Sequence, residues 1–144
     1  MKIKTIITIL IFLSIISMNA QEWVTNFEDA QKMAKEDNKE IIMSFQGSDW
    51  CAPCIKLEKE FFSNEKFKTY AKDHFVMLKV DFPRRKKNRL TKEQQKHNNN
   101  LAEKYNQQGN FPLVVVLNKD LKVLGKTGYN EISVTEFISK LEKF

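Results

Sequence analysis

The chain contains two cysteines, Cys51 and Cys54, which are separated by two residues. Residues three apart on a helix lie on one face and roughly 5 to 6 Å from each other, a separation that a disulfide can span. The two thiols can therefore bond reversibly. An apolar run ends at Gly47 and a helical pattern follows the cysteines, so the pair lies where a strand passes into a helix. This position and spacing predict redox chemistry.

The two cysteines are expected to differ in role. A helix N-terminus offers unpaired N–H groups and partial positive charge, which favour a thiolate, so Cys51 is the candidate nucleophile. Cys54 shares a helical stripe with Leu57 and Phe61, which predicts that it faces the core and resolves the bond while Cys51 lies at an exposed tip. Pro53 suits an early helical position, where its missing N–H costs nothing.

Other uses of a cysteine pair are possible. A zinc site normally needs four ligands, and His74 and His97 do not complete a finger-like spacing, so no metal site is expected. Attachment of a c-type haem is excluded because Ile55, rather than histidine, follows the second cysteine. A static structural disulfide remains an alternative.

The first 20 residues have the pattern of a secretory signal peptide, with two lysines, an apolar run over 6–16 and a small residue at Ala20. The run is short for a transmembrane helix, which needs about 20 residues. We expect cleavage before Gln21 and an exported, soluble product, with an uncleaved membrane anchor as the alternative. Residues 21–144 have the length of one domain, and a single cysteine pair is not a disulfide scaffold.

The positive charge of the chain, +6 in total, is concentrated in residues 83–100. A basic surface attracts acidic protein, anionic lipid or nucleic acid, and nucleic acid is the least expected because no nucleic-acid-binding motif is present. A solvated loop is the alternative. The segment has Glu93 as its one acidic residue and seven basic ones: Arg84, Arg85, Lys86, Lys87, Arg89, Lys92 and Lys96.

Helical and strand patterns alternate along the chain. Capping boxes at Thr25, Thr91 and Ser133 each begin a helical pattern, and short apolar runs predict strands. The order predicts an α/β fold in which a central mixed sheet has helices on both faces. We expect helices over 25–37, 51–62, 65–73, 91–109 and 133–144, and strands over 41–45, 75–81, 113–117 and 121–124.

Two motifs in this order, Trp50-Cys51-Ala52-Pro53-Cys54 and Phe111-Pro112, resemble the thioredoxin superfamily over essentially all of residues 21–144. The resemblance implies a thioredoxin-like three-layer sandwich. Longer strings at 47–51, 80–84 and 125–129 are similar to exported bacterial thioredoxin-like proteins, akin to the periplasmic thioredoxin-like domain of the transmembrane thiol reductase DsbD.

The resemblance also implies roles for the motif residues. Trp50 and Pro53 would support the active site. Phe111-Pro112 would form a cis peptide bond that faces the cysteines and exposes the Phe111 backbone to an extended substrate strand. An ordinary proline at the entry to a strand is the alternative for Pro112.

The chain departs from the thioredoxin pattern in two places. Thioredoxins carry a buried aspartate in the strand before the active site, and here Ser44 and Phe45 occupy the nearest positions. Glu58, one turn after Cys54, or water becomes the candidate carrier for the proton of the resolving thiol. The second departure is the basic insertion at 83–100, which leaves room for a partner surface.

The sequence therefore predicts an exported thiol–disulfide oxidoreductase that exchanges disulfides with protein substrates. Ala52-Pro53 resembles the Gly-Pro of reducing thioredoxins, so we expect the reductive direction or support of an isomerase, with a membrane thiol reductase as electron donor. We expect a monomer that needs no cofactor. The alternatives are a binding or chaperone module on the same scaffold, and a copper-delivery module that uses the two thiolates.

Overall fold

A computed structural model describes residues 22–144. Helices and strands are interspersed along the chain, and all five strands belong to one sheet in the order β1-β3-β2-β4-β5. The strands are β1 (Trp23–Val24), β2 (Glu40–Gln46), β3 (Phe75–Asp81), β4 (Leu113–Leu117) and β5 (Val123–Thr127). The helices are α1 (Phe27–Asp37), α2 (Ala52–Leu57), α3 (Glu65–His74), α4 (Lys92–Tyr105) and α5 (Val134–Leu141), with a π-helical turn at Glu58–Phe62 and a 3-10 turn at Lys86–Asn88.

The sheet is mixed, as predicted. Strands β1 and β2 run parallel to β3, whereas β4 is antiparallel to both β2 and β5. The strand that leads to the cysteines, β2, is central, and its residues alternate between the two faces of the sheet. Met43 packs in one core cluster and Ile42 in the other.

The two core clusters lie on opposite faces of the sheet and give the predicted three layers. One cluster includes Ala30 of α1 and Leu101 of α4. The other includes Leu57, Phe67 and Phe137 from α2, α3 and α5. The active-site helix α2 is therefore held by the second cluster.

Two element boundaries near the N-terminus differ from the prediction. Helix α1 begins after Asn26, whose side chain accepts the N–H of Asp29, so the capping box at Thr25 is not used. Asparagine ranks above threonine as an N-cap, and Phe27, the first residue of the helix, packs against the core. The two-residue strand β1 was not predicted, because two residues carry no detectable alternation.

Two later boundaries, the start of β5 and the end of α4, also differ from the prediction, and an asparagine side chain sets each of them. Strand β5 begins at Val123 rather than at residue 121, because Asn118 accepts the N–H groups of Asp120 and Lys122 and extends the turn. Helix α4 ends at Tyr105, four residues before Gly109. There the side chain of Asn106 bonds both the N–H and the carbonyl of Asn110 and closes a tight loop.

The expected signal peptide, residues 1–20, lies outside the described residues. Between residues 22 and 144 the structure has no helix that is both long enough and apolar enough to cross a lipid bilayer.

Candidate active site

The cysteine pair lies at the start of α2, as the spacing predicts. Cys51 and Cys54 are joined by a disulfide, and their Cα atoms are 5.2 Å apart. Cys51 is the N-cap of α2 in an extended conformation, and its Sγ accepts the N–H of Cys54 at 3.3 Å. Pro53 lies in the first turn, as expected. The sulfur of Cys51 therefore occupies the position that a capping oxygen usually takes.

Burial of the two cysteines is partly as predicted. Cys54 is 3% exposed and Leu57 and Phe61 are each 1% exposed, which confirms that the three share a core-facing stripe. The prediction that Cys51 lies at an exposed tip is wrong for the disulfide form, because its side chain is only 5% exposed. The bond to Cys54 and the contact with the Cys54 N–H turn Cys51 back onto α2.

The turn before the cysteines requires a glycine. Gly47 is buried, and a Cβ atom at this position would overlap the indole of Trp50. Its N–H donates to the Sγ of Cys54 at 3.5 Å, and its carbonyl accepts the N–H of Cys51 at 2.9 Å. Gly47 thus positions both sulfur-bearing residues at the end of β2.

Trp50 connects the cysteine turn to two distant segments. Its indole Nε1 donates to the carbonyl of Phe82 at 2.7 Å, and the Arg84 guanidinium carbon lies 3.7 Å from the ring centroid, a cation–π geometry. The other contact is with Phe111, whose ring centroid is 5.6 Å away in an edge-on arrangement. The structure therefore supports a positioning role for Trp50.

The Phe111–Pro112 peptide bond is cis, as the resemblance implied. It immediately precedes β4, and the Phe111 ring packs against Phe82 at 5.5 Å as well as against Trp50. The two motifs on which the resemblance rests are thus neighbours in the fold.

Two acidic residues hold the cysteine turn against the segment that follows β3. Asp81, the last residue of β3, accepts both the N–H of Ser48 at 2.9 Å and its hydroxyl. Asp49 accepts the backbone N–H groups of Arg84 at 2.9 Å and Arg85 at 3.0 Å. A third bond to Asp49 comes from the side chain of Asn88.

The role of Asp49 was not predicted from the sequence. The ends of the parallel strands β2 and β3 meet at one edge of the sheet. The available signal in the sequence was therefore a pair of acidic residues at these ends, Asp49 just beyond β2 and Asp81 at the end of β3. The bond from the Arg84 N–H is the largest of the causes that lower the pKa of Asp49 from 3.8 to about 2, and the Asn88 bond acts in the same direction. Asp49 is therefore ionised while it makes these bonds. We call the three hydrogen bonds from Arg84, Arg85 and Asn88 to Asp49 the Asp49 clamp.

This pKa predicts a pH dependence. The clamp is fully present above a pH of about 4 and is lost as the pH falls through about 2, because the folded state holds Asp49 ionised below its usual pKa. We expect the fluorescence of Trp50 to change over that window in the wild type. The Asp49→Asn variant should lack this transition, and an unchanged transition in the variant would assign it to another group.

A cavity of about 370 Å³ lies beside Cys54 rather than Cys51. Glu58 is the one carboxylate among its described lining residues. Its Oε1 accepts the hydroxyl of Ser63 at 3.4 Å, and its Oε2 is buried without a hydrogen-bond partner among residues 22–144. The lining residues are Gln46, Ser48, Cys54, Ile55, Glu58, Lys59, Ser63 and Lys79.

The strand position that is acidic in thioredoxins is not acidic here. Phe45 packs in the core, and the buried hydroxyl of Ser44 has no hydrogen-bond partner in the part of the chain that the structure describes. Ser44 is opposite Lys79 in the register of β2 and β3. The position of Lys79 in the cavity was not predicted, because it depends on that register.

Comparison with known families decides the classification. A family model described as thioredoxin-like matches residues 22–119. The chain belongs to the thioredoxin-like family. The match covers the sheet from β1 to β4 and both motifs of the site.

The relatives of this thioredoxin-like chain include a protein named as a disulfide bond reductase. The chain is 33% identical over 117 residues to the disulfide bond reductase DsbH of Chlamydia pneumoniae. The aligned region covers 81% of this chain and 69% of DsbH. The solved structure of a DsbH oxidoreductase superposes with a TM-score of 0.77 at 31% identity, covering 84% of this chain and 81% of that one. The Neisseria meningitidis DsbD C-terminal domain shares the fold, with a TM-score of 0.57 at 20% identity and coverage of 81% and 90%.

These findings agree with the disulfide seen in the structure. The chain is a thioredoxin-fold thiol–disulfide oxidoreductase. The two alternatives, a binding or chaperone module and a copper-delivery module, are not favoured by these relatives.

Proposed function

We propose that the protein is exported and reduces disulfides in protein substrates through Cys51 and Cys54. The observation that carries this proposal is the disulfide at the start of α2, in a chain whose relative is named a disulfide bond reductase. The reduced pair supplies two electrons and two protons, and the substrate disulfide accepts them.

Cys51 is the attacking residue in this proposal. Its Sγ already receives the N–H of Cys54, and a donor at this place favours the thiolate over the thiol. The thiolate attacks one sulfur of the substrate disulfide, and the other substrate sulfur leaves. Cys54 then attacks Cys51, so that the second substrate sulfur leaves and the internal disulfide forms.

Glu58 is the proposed carrier of the Cys54 proton. Cys54 must lose its proton before it attacks, and the cavity beside it contains the Glu58 carboxylate with one oxygen unpaired. The cavity is far larger than one water molecule, and in this proposal a water carries the proton from Cys54 to Glu58. Lys79 lines the same cavity, and its ammonium nitrogen lies 5.0 Å from the centroid of the Trp23 ring.

Substrate contacts are assigned to the neighbouring motif. The backbone of Phe111, just before Pro112 and β4, is proposed to pair with an extended substrate segment. Trp50 and Pro53 support the site, Trp50 through its contacts with Phe111 and Arg84, and Pro53 by its place in the first turn of α2.

The cellular setting follows from the N-terminal pattern. Residues 1–20 are proposed to direct export and to be removed, which leaves a thioredoxin-like domain at 21–144 in the periplasm or an equivalent compartment. A membrane thiol reductase is the proposed source of electrons. The domain is proposed to act as a monomer on protein substrates, not on nucleic acid.

The direction of exchange can be measured. Equilibration of the mature protein with glutathione buffers should give a reduction potential between about −270 and about −200 mV, within the range of thioredoxins and glutaredoxins. Reduced protein should accordingly reduce insulin in the presence of dithiothreitol. A potential near about −120 mV, typical of a strong oxidant, would contradict the reductive proposal.

A further inference from the structure

A groove lies between the segment after β3 and one side of α4. Its volume is about 670 Å³. Its lining contains four basic side chains and one acidic one, Glu103, together with several side-chain amides. The basic lining residues are Arg84, Arg89, Lys92 and Lys96, and the amides are those of Gln95, Asn99 and Asn100.

The four basic side chains of the groove are not ion-paired within the part of the chain that the structure describes, and Glu103 is outnumbered four to one. Residues 1–21 contain no acidic side chain. All four basic residues are exposed. A cleft lined by one sign of charge concentrates its potential and attracts ligands of the opposite sign.

The groove is held in a defined shape by bonds to the rest of the fold. The Asp49 clamp fixes its first wall. Helix α4 forms the other wall, and the side chain of Asn98 on this helix donates to the carbonyl of Asp81 at 2.9 Å. The side chain of Gln94 donates to the carbonyl of Thr25 at 3.0 Å. A preorganised charged surface binds a partner at a lower entropic cost than mobile side chains on a loop.

The groove is continuous with the active site. Arg84 lines the groove and also stacks on Trp50, which packs against Phe111. A polypeptide whose disulfide is at Cys51 and which passes Trp50 therefore meets Arg84 and then the basic lining. This continuity with the disulfide favours a polypeptide substrate over a lipid surface.

We propose that the groove binds an acidic segment of the protein substrate while its disulfide is exchanged at Cys51. The proposal rests on the proposed function and adds a substrate class to it. It also assigns separate roles to the basic residues. Arg85, Lys86 and Lys87 belong to the same basic insertion but do not line the groove.

That difference supplies a matched pair of variants. The groove variant is R89Q/K92Q/K96Q, and the control is R85Q/K86Q/K87Q, which removes the same number of charges from the same segment. Both keep Arg84, because it contacts Trp50. The substrates are an acidic peptide with one disulfide, a neutral peptide with the same disulfide, and a small-molecule disulfide.

The groove variant should lose about tenfold in kcat/KM for the acidic peptide at low salt, mainly through KM, as expected for three exposed charge contacts. The control should change by no more than about twofold, since its side chains lie outside the groove. Rates with the neutral peptide and the small disulfide should be unchanged in both. The difference should shrink at about 0.15 M salt and above, where screening acts over about 8 Å.

Equal losses of kcat/KM for the acidic peptide in the two variants would overturn the proposal in favour of a general charge effect. Unchanged kcat/KM of the groove variant for every substrate would overturn it as well.

Binding of a cysteine-free acidic peptide to the C51S/C54S variant tests the groove without redox turnover. We expect this binding to be lost when the groove substitutions are added. If duplex DNA or phosphatidylglycerol vesicles bind more tightly than the acidic peptide, and this binding is lost in the groove variant, the groove belongs to another ligand and the proposal is overturned. Failure of the wild type to reduce the small disulfide would instead contradict the proposed function.

Discussion

Replacement of Cys54 by serine should turn the protein into a covalent trap for its substrate. Cys51 can still attack, but no internal thiol remains to release the mixed disulfide. Replacement of Cys51 by serine should abolish both the adduct and turnover, with a loss in insulin reduction of about a thousandfold, which corresponds to about 4 kcal/mol in the barrier. Non-reducing gel electrophoresis of each variant after incubation with oxidised substrate measures the adduct.

The two serine variants are controls for each other, because each removes one sulfur from the same turn. In the reduced wild type, iodoacetamide near neutral pH should modify Cys51 before Cys54, since the thiolate is the reactive form. An adduct that forms in the Cys51→Ser variant and not in Cys54→Ser would reverse the assigned roles.

Replacement of Phe137 by alanine should lower the free energy of unfolding by about 3 to 5 kcal/mol, the usual cost of removing a buried aromatic ring. Phe137 is 0% exposed and stacks on Phe61 with ring centroids 4.4 Å apart. It also packs against Phe62 and Phe67. Because Phe61 shares its stripe with Cys54, a cavity at this place loosens the support of the active-site helix.

Urea denaturation of the oxidised protein measures this loss. The control is Ile55→Ala, which removes a branched aliphatic side chain from α2 that is 49% exposed and should cost no more than about 0.5 kcal/mol. Similar losses in the two variants would show that the aromatic cluster contributes less than its burial implies.

The parts of the fold that were predicted correctly are those with a strong local pattern. Strand β4 is an apolar run that is buried throughout, and α5 begins with a capping box in which Ser133 and Glu136 bond each other's backbone, as the sequence predicted. The boundaries at Asn26 and Val123 were missed because neighbouring residues compete for the same cap or turn: Asn26 caps the helix in place of Thr25, and the Asn118 side chain extends the turn before β5.

The active site divides in the same way. The core-facing position of Cys54 follows from spacing along one helix, which a sequence displays directly. Burial of Cys51 follows from its bond to Cys54, whereas the bonds of Asp49 to Arg84 join segments that are 35 positions apart in the chain. Their contact is decided by strand register, and a single sequence does not contain that register.

The central place of β2 has a consequence for how the protein fluctuates. Its backbone is bonded to β3 along one edge and to β4 along the other, so fraying from an edge cannot reach it. Separation of β2 requires both ladders to break together, which amounts to unfolding the domain. The bond between Cys51 and Cys54 is thus made and broken just beyond a strand that is paired along both edges, so we expect disulfide exchange to proceed without opening of the sheet.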